Sequence, residues 1–163
     1  MKFRGEHSSN IDKEYSRIIA QADSPAKVKS LGTQQVHRFG AKWKINKKSD
    51  SRLLNDVIRE YQGKVKLRDD WNDNNVKQRI MLTALLAKFT QHEELRKKFV
   101  SIPYDTMLIE HTYRDHVWGD GGDGSGKNYL GKLLTALHIH MKNNYSLDEN
   151  TIFNTFLMNE VVI

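Results

Sequence analysis

The chain of 163 residues lacks cysteine altogether and contains only two prolines. Without cysteine, disulfide bonds and thiolate metal sites are excluded. The chain has no apolar run of about 18 residues, so the sequence predicts no membrane-spanning helix, and its polar start lacks the apolar stretch of a signal peptide. We therefore expect a cytoplasmic protein. The scarcity of proline, together with many Lys, Leu, Glu and Arg residues, indicates a mainly helical one.

Acidic residues are outnumbered: 26 Lys and Arg residues stand against 20 Asp and Glu residues, which gives a net charge of +6. This balance predicts a negatively charged partner, either a nucleic acid or a phosphorylated small molecule. Basic residues surround Trp43 within residues 42–48, an arrangement typical of nucleic-acid contact. It is equally typical of a solvated basic loop, so both interpretations stay open.

Apolar residues recur at spacings of three and four, the pattern of helices with one buried face. Asn10 is a suitable N-cap for the first helix, and Gly63 is expected to end the third. The strand-like composition of residues 106–112 predicts a short strand or an extended segment. The predicted helices cover residues 11–22, 23–32, 50–62, 73–89, 93–102 and 128–143, with a further helix in the tail from residue 146. The helix over 73–89 is expected to be central and buried, with one apolar row of Met81, Leu85 and Phe89 and another of Val76, Ile80, Ala84 and Ala87.

The most informative stretch is residues 117–131, which hold six of the ten glycines and lead directly into a predicted helix. Glycine lets the backbone approach a ligand closely. The free N–H groups of a first helical turn, with the positive end of the helix dipole, favour an anion. The stretch therefore predicts a site for a phosphate-carrying ligand, and a solvated loop is the structural alternative.

Two other kinds of site find no support in the sequence. Gly121, Gly126 and Lys127 match half of a P-loop, but Asn128 stands where Ser or Thr would bind Mg²⁺, and no buried strand leads directly into the loop. His138 and His140 are two residues apart and do not share a helix face. We therefore expect neither a nucleoside triphosphatase nor a metal site.

Polar side chains that can carry chemistry cluster around the glycine-rich stretch. A carboxylate beside a desolvated ligand can act as acid or base, or stabilise a developing cation. An indole can stack on a base or a ribose, and an asparagine at a helix start can cap the helix or bind a phosphate. Each residue also has an ordinary structural interpretation. The cluster consists of Glu110, Asp115, Trp118, Asp120 and Asn128.

These residues carry a resemblance to a known family. Residues 108–110 (LIE), Asp115, 118–122 (WGDGG), 126–128 (GKN) and 130–134 (LGKLL) resemble the signature of the NADAR, or YbiA-like, family. Further similarity lies in a short S-P-x-x-A-x-x-L-G helix and in a central segment with W, M, A, K-F and L-R, so the resemblance covers about residues 1–33 and 70–142. Thr135 stands where the family usually has methionine.

The resemblance implies a mainly α, compact YbiA-like single domain with at most a short strand or two. Within it, about residues 34–69 would be a basic insertion and about residues 144–163 a C-terminal extension. Members of the family hydrolyse N-glycosidic bonds. Some act on phosphorylated riboflavin-pathway intermediates, and others remove ADP-ribose from modified guanine in nucleic acid. The expected partner is thus a phosphorylated sugar or an ADP-ribose-type ligand, with nucleic acid as a further candidate.

The resemblance also implies roles for individual residues. Lys2, with Phe3, matches the end of a Q-x-x-K-F motif whose lysine attacks the anomeric carbon and forms a Schiff base. Glu110 and Asp115 are the other expected catalytic residues, and no cofactor or metal is expected. The expected ligand-binding residues are Trp118, Gly119, Asp120, Gly122, Gly126, Asn128 and Gly131.

One departure from the family concerns the start of the sequence. The E-H-x-x-Q segment that precedes the lysine in the family is not found before Lys2, so we expect either a start further upstream or a truncated chain. Two alternatives to an enzyme therefore stay open. One is a non-catalytic binder of ADP-ribose-like ligands, and the other is a nucleic-acid-binding protein that uses residues 42–48.

Overall fold

The computed structural model describes residues 8–22, 28, 31–32, 52–73 and 75–160. The chain packs as two compact units, residues 1–73 and 74–163. The described part is mainly helical, which confirms the predicted fold class. The described part of the first unit contains α1 (Asn10–Ala20) and α2 (Arg52–Tyr61), followed by a 3-10 turn (Asp69–Asn72). The described part of the second unit contains α3 (Val76–Gln91), α4 (Glu93–Val100), α5 (Tyr129–Lys142) and α6 (Glu149–Glu160).

The start of α1 differs from the prediction. Ser9, not Asn10, is the N-cap, because Ser9 and Asp12 form a reciprocal capping box. The Ser9 hydroxyl accepts from the Asp12 N–H at 3.2 Å, and the Asp12 carboxylate accepts from the Ser9 N–H at 3.0 Å. The other Asp12 oxygen accepts from the Lys66 N–H at 2.7 Å, which ties α1 to the segment after α2.

The first unit has a small core of its own. Tyr15 is fully buried, with its ring 5.1 Å from that of Tyr61, and its hydroxyl donates to the Leu31 carbonyl oxygen at 2.8 Å. Burial raises the pKa of the Tyr15 phenol because the charged form would be poorly solvated. The predicted helix over 50–62 is confirmed as α2, and Gly63 follows it with a φ of 74°.

Several predictions fall outside the described residues. These are the roles of Lys2 and of the basic segment 42–48, and most of the helix predicted over 23–32. The proposed insertion at 34–69 and the extension at 144–163 likewise stay predictions, as does the single-domain organisation.

The core of the second unit lies among α3, α4, α5 and α6. Phe89 of α3 stacks on Phe99 of α4 with ring centroids 4.0 Å apart. In α3 the buried face is Leu82, Leu85 and Phe89, spaced i, i+3 and i+7. The predicted second row is wrong at Ala84, which is exposed, so α3 buries one face and not two. The buried residues of α5 and α6 in this core are Leu133, Ala136, Leu137, Met141, Ile152, Phe153 and Phe156.

The helix predicted in the tail is confirmed as α6, and a buried histidine joins it to α5. His140 lies with Nδ1 2.9 Å from the Ser146 carbonyl oxygen and Nε2 2.9 Å from the Thr155 hydroxyl. Because both ring nitrogens have partners, the imidazole is accommodated inside the helix pair.

Residues 101–128 connect α4 to α5. Residues 106–112 form neither a helix nor a strand, so the prediction of a strand here is wrong and that of an extended segment stays a prediction. An isolated bridge pairs Tyr113 with Gly121 further along. The helices of the described part are all too short or too polar to cross a membrane.

Candidate functional site

The Asn128 side chain connects residues 108–110 to the start of α5 through two hydrogen bonds. Its side-chain Oδ1 accepts from the Glu110 N–H at 2.9 Å, and its Nδ2 donates to the Leu108 carbonyl oxygen at 3.1 Å. Asn128 itself is left-handed, with a φ of 50°, and makes no side-chain cap for α5. Of the two interpretations left open for Asn128, the side-chain cap is therefore wrong, and binding of a phosphate stays a prediction. Its amide instead fixes the backbone position of Glu110.

Gly131 allows this close approach of segment and helix. A Cβ atom at Gly131 would overlap the Leu108 carbonyl oxygen and the Asn128 side chain. The glycine of the L-G pair is therefore required by packing. Its predicted role in ligand binding is not tested by this geometry.

The glycine-rich loop closes on itself through backbone hydrogen bonds. The Asp120 N–H donates to the Glu110 carbonyl oxygen at 2.9 Å, and the Gly126 N–H donates to the Asp120 carbonyl oxygen at 2.8 Å. A Cβ at Gly119 would lie 2.7 Å from the Glu110 carbonyl oxygen, and one at Gly126 would overlap the Gly119 carbonyl oxygen. The two glycines thus let backbone segments of the loop pack closely against one another.

Three N–H groups at the start of α5 already have acceptors in the preceding loop. The N–H groups of Asn128, Tyr129 and Leu130 donate to loop carbonyl oxygens at 3.0, 3.2 and 3.0 Å. Their acceptors are Gly119, Val117 and Trp118. The expectation that these amides are open to an anion is therefore wrong, because the loop preceding the helix folds back and occupies them.

Asp115 shapes the turn before Trp118. Its Oδ1 accepts from the Trp118 N–H at 2.9 Å and from the Val117 N–H at 3.1 Å. These N–H groups, Trp118 first, hold the pKa of the Asp115 carboxyl below its usual range. The carboxylate therefore stays ionised and anchored in the loop, and a catalytic role for it remains a prediction.

Trp118 is half-buried and packs against the core of the second unit. Its ring meets the Tyr129 ring edge-on, with centroids 6.4 Å apart. Part of the Trp118 indole therefore packs in the core. Stacking of a ligand on the exposed part of the indole stays a prediction.

Asp120 is buried and pairs with a residue that the sequence analysis missed. Its Oδ2 lies 2.9 Å from Nδ1 of His111, and its Oδ1 accepts from the Gly122 N–H at 2.8 Å. The His111 contact, and then the Gly122 N–H, hold the pKa of the Asp120 carboxyl below its usual range. The same contact raises the pKa of the His111 imidazole. A histidine next to Glu110 was visible in the sequence, but its partner lies nine residues away across an irregular loop.

The hydrogen bonds join three of the predicted site residues into one connected structure. Glu110 accepts from the Asp120 N–H through its carbonyl oxygen, and its own N–H is held by Asn128. The Thr112 hydroxyl donates to the Glu110 carboxylate. Both the backbone and the side chain of Glu110 are therefore positioned by the loop.

A cleft of about 290 Å³ begins at Asn128 and runs between residues 104–108 and α5. Lys132 and Thr135 line it from α5, one and two turns beyond Asn128, and the sequence analysis did not predict either as a site residue. Their spacing from Asn128 on one helix face was the available signal. Among the described residues, no group of three or more His, Asp or Glu side chains is placed to hold a metal ion.

The fold and the site define a class of protein: it is mainly helical, and its glycine-rich loop positions the Glu110 carboxylate and the Asp120–His111 pair. The family model described as the NADAR domain matches residues 3–142. The chain therefore belongs to the NADAR family, as the motifs predicted.

Named relatives match parts of the chain. The N-glycosidase YbiA of Shigella boydii is 49% identical over 71 residues, which cover 44% of this chain and 42% of that protein. A riboflavin biosynthesis protein of Vibrio vulnificus is 36% identical over 99 residues, 61% of this chain and 26% of that protein. An N-glycosidase of Nostoc punctiforme is 37% identical over 81 residues, half of each chain. The chain thus spans less than half the length of the YbiA proteins it matches, and no solved structure matches it.

Proposed function

We propose that this protein is an N-glycosidase that hydrolyses the N-glycosidic bond of an ADP-ribose or ribose-phosphate conjugate. The observation that carries the proposal is the NADAR match over residues 3–142, with partial relatives named N-glycosidase. ADP-ribosylated guanine in nucleic acid and phosphorylated riboflavin intermediates are the two proposed substrate classes.

The reaction places two demands on the site. The bond between the anomeric carbon and the nitrogen breaks with its electron pair going to nitrogen, so the anomeric carbon becomes electron-poor and the leaving nitrogen needs a proton. A carboxylate can stabilise the positive charge at carbon and accept a proton from the attacking water. Glu110 has this role in the proposal, because its backbone is held on both sides and its carboxylate is oriented by Thr112.

His111 supplies the proton in the proposal. Asp120 accepts from Nδ1–H of His111, which leaves Nε2 directed away from the carboxylate. The raised pKa of His111 favours its protonated form, as a proton donor to the leaving nitrogen requires. Protonation of that nitrogen makes it a better leaving group, and the imidazole is reprotonated from solvent after the base departs.

Lys2 adds a covalent variant of the same reaction. Its amine attacks the anomeric carbon, the nitrogen base leaves, and the sugar ring opens as the new carbon–nitrogen bond becomes an imine. Water then hydrolyses the imine and returns the free amine. This role derives from the family resemblance, and Lys2 lies outside the described residues.

The test is incubation of the full chain with guanine-ADP-ribosylated DNA and, in parallel, with phosphorylated riboflavin intermediates. Chromatography of the released base and sugar phosphate measures hydrolysis. We expect release from one of the two classes, and Glu110→Gln should slow it by about 100-fold or more. The matched control is Glu94→Gln, since Glu94 is an exposed carboxylate that pairs with Lys97 on α4.

The outcomes separate the candidates. Binding of ADP-ribose without release of any base would favour the non-catalytic binder and overturn the enzyme. Borohydride trapping of a sugar adduct on Lys2 would support the Schiff base. A Lys2→Ala variant with full activity would exclude the Schiff base while leaving direct hydrolysis by Glu110 in place.

A further inference from the structure

The glycine-rich loop contains both Asp-Gly dipeptides of the chain, Asp120–Gly121 and Asp123–Gly124. An Asp-Gly dipeptide is chemically prone to isomerise, because glycine has no side chain to keep its backbone nitrogen away from the neighbouring carboxyl group. The reaction needs no enzyme and no reactant except water. The structure places the two dipeptides in opposite surroundings, so we expect them to differ in reactivity.

The isomerisation proceeds through a cyclic imide. The glycine nitrogen attacks Cγ of the protonated aspartic acid, and a carboxyl oxygen leaves as water together with the carboxyl proton and the amide proton. Water then adds to the succinimide. When it breaks the bond between the nitrogen and Cγ, aspartate is restored. When it breaks the bond between the nitrogen and the backbone carbonyl carbon, the chain runs on through Cβ and Cγ as isoaspartate, with its mass unchanged.

The first dipeptide, Asp120–Gly121, is buried and hydrogen-bonded at both reacting groups. Oδ2 of Asp120 lies 2.9 Å from Nδ1 of His111, and Oδ1 accepts from the Gly122 N–H at 2.8 Å. The Gly121 N–H donates to the Asp115 carbonyl oxygen at 3.1 Å. The carboxyl and the nitrogen can therefore meet only after local opening of the loop.

The second dipeptide, Asp123–Gly124, is exposed at both residues. Among the residues that the structure describes, the Gly124 N–H finds no hydrogen-bond acceptor, and no atom lies within 4 Å of a Cβ placed on Gly124. The nucleophilic nitrogen is thus available without any opening of the loop. Exposed loop positions of this kind tolerate the change in chain path that the reaction produces.

Ser125 restrains the open dipeptide. Its hydroxyl donates to Oδ1 of Asp123 at 2.6 Å, and its N–H donates to the same oxygen at 2.9 Å. The hydroxyl, and then the N–H, hold the pKa of the Asp123 carboxyl below its usual range, and the nearby His116 acts in the same direction. An ionised carboxylate is a poor electrophile, because its oxygen cannot leave as water until it is protonated. The Ser125 contacts therefore slow the reaction.

We propose that Asp123–Gly124 is a site of spontaneous isoaspartate formation in the folded protein, that Asp120–Gly121 is protected, and that the Ser125 hydroxyl limits the rate. This inference does not depend on the proposed N-glycosidase function. The product exposes an α-carboxylate where the chain had a peptide bond. The partner that its chemistry would attract is a methyltransferase specific for isoaspartate.

The test ages the full chain at neutral pH, below its unfolding temperature, and digests it with trypsin. Both dipeptides lie in residues 115–127, between the cleavage points after Arg114 and Lys127, so one peptide reports on both. Electron-transfer fragmentation gives backbone ions specific for isoaspartate and measures its amount at each position. A second sample, aged in urea, gives the rates without the fold.

In the folded chain, isoaspartate should accumulate about tenfold or more faster at residue 123 than at residue 120, because Asp120–Gly121 reacts only from an opened loop. In urea the two rates should be similar. Ser125→Ala should raise the rate at residue 123 about fivefold, the effect of one lost hydrogen bond. The matched control is Ser101→Ala, which removes an exposed hydroxyl that donates to the Lys98 carbonyl oxygen and should leave both rates unchanged.

Equal rates at the two positions of the folded chain would overturn the assignment of an open and a protected dipeptide, as would the same preference in urea. Equal rates in Ser125→Ala and Ser101→Ala would remove Ser125 as the restraint. The slow rate at residue 120 also reports on folding in each variant, since a disrupted loop would raise it to the rate in urea. Hydrolysis of a glycoside enters none of these measurements, so failure of the proposed function is seen separately.

Discussion

Nδ1 of His111 lies 2.9 Å from Oδ2 of Asp120, although the histidine side chain is 73% exposed and the aspartate is buried. A buried carboxylate that holds an exposed imidazole fixes one ring nitrogen and presents the other to solvent. Such an arrangement suits a proton donor more than an ordinary surface ion pair, which orders neither partner.

The pair makes stability depend on pH in a defined window. The raised pKa of His111 stabilises the fold fully below the ordinary histidine value of about 6.5, and this contribution is lost as pH rises through the folded pKa. The lowered pKa of Asp120 contributes above the ordinary aspartate value of about 3.9, and is lost as pH falls through the folded pKa. Both contributions are therefore complete between about pH 4 and pH 6.5.

Asp120→Asn should lower the pKa of His111, because the neutral amide no longer favours the imidazolium. The titration of the His111 ring protons by NMR measures this directly and does not require a substrate. His116→Gln is the control, since the His116 ring hydrogen-bonds the Ser125 hydroxyl and makes no hydrogen bond to Asp120. If the His111 titration were the same in Asp120→Asn and in the parent, the pair would not exist in solution.

His111→Gln should reduce kcat for N-glycoside hydrolysis by about 100-fold or more, while KM changes little. The reason is that glutamine can occupy the position but cannot transfer a proton at neutral pH. In the parent, the basic limb of the kcat–pH profile should lie above pH 6.5 or so and should move down in Asp120→Asn. A His111→Gln enzyme with the parental profile would remove the histidine from the mechanism.

Asn128→Asp should destabilise the protein by about 1–2 kcal/mol. The introduced carboxylate still accepts from the Glu110 N–H, but its second oxygen faces the Leu108 carbonyl oxygen and cannot donate. A favourable helix-dipole contribution of about 0.5 kcal/mol offsets only part of this loss. Chemical denaturation measures the change.

The control for this variant is Asn154→Asp on the exposed face of α6, where we expect a change within about 0.5 kcal/mol. The destabilisation by Asn128→Asp should also diminish at acidic pH, because a protonated carboxyl can donate to the Leu108 oxygen again. Equal effects of the two variants at neutral pH would contradict the role of the Asn128 amide.

Gly131→Ala should destabilise the protein although it improves helix propensity. Alanine is favoured over glycine inside a helix by about 1 kcal/mol, but its Cβ would overlap the Leu108 backbone, which has no flexible end to move. Displacing that segment breaks the Asn128 contacts, so we expect a net loss of about 2 kcal/mol or more.

Gly124→Ala provides the comparison, since no atom lies within 4 Å of its Cβ position and only its φ of 84° is unfavourable. That strain costs about 1–2 kcal/mol. Thermal or chemical unfolding of both variants should therefore rank Gly131→Ala as the more damaging one. The opposite order would mean that residues 106–110 lie away from α5 in solution.

The predictions from sequence succeeded where a local pattern was sufficient. The apolar spacing in residues 128–143 and in the tail identified α5 and α6, since a helix that buries one face repeats its apolar residues at a period close to 3.6. The cap of α1 was missed because Ser9 and Asp12 form a capping box, and Asn10 alone was considered. The second apolar row of α3 was wrong at Ala84, because the spacing of apolar residues does not state which neighbours a helix has.

For the glycine-rich loop, the predicted ligand site stays a prediction, while the expectation of open N–H groups at the start of α5 was wrong. Gly119 and Gly126 are needed for contacts between backbone segments, and three of the N–H groups expected to bind an anion donate to carbonyl oxygens of the loop. A sequence cannot show which carbonyl will return to occupy a helix start, because that depends on how the preceding chain folds over it.

By itself, the sequence determined the helical character of the protein, its positive charge and, through the spacing of W-G-x-G and G-K-N-x-L-G, its family. These properties depend on residue identity and on short-range periodicity, and both can be read directly from the sequence. Only the tertiary structure decided that Asp120 would hold His111 and that Asn128 would position Glu110. Such pairs form across irregular backbone, where no repeat relates distance along the chain to distance in space.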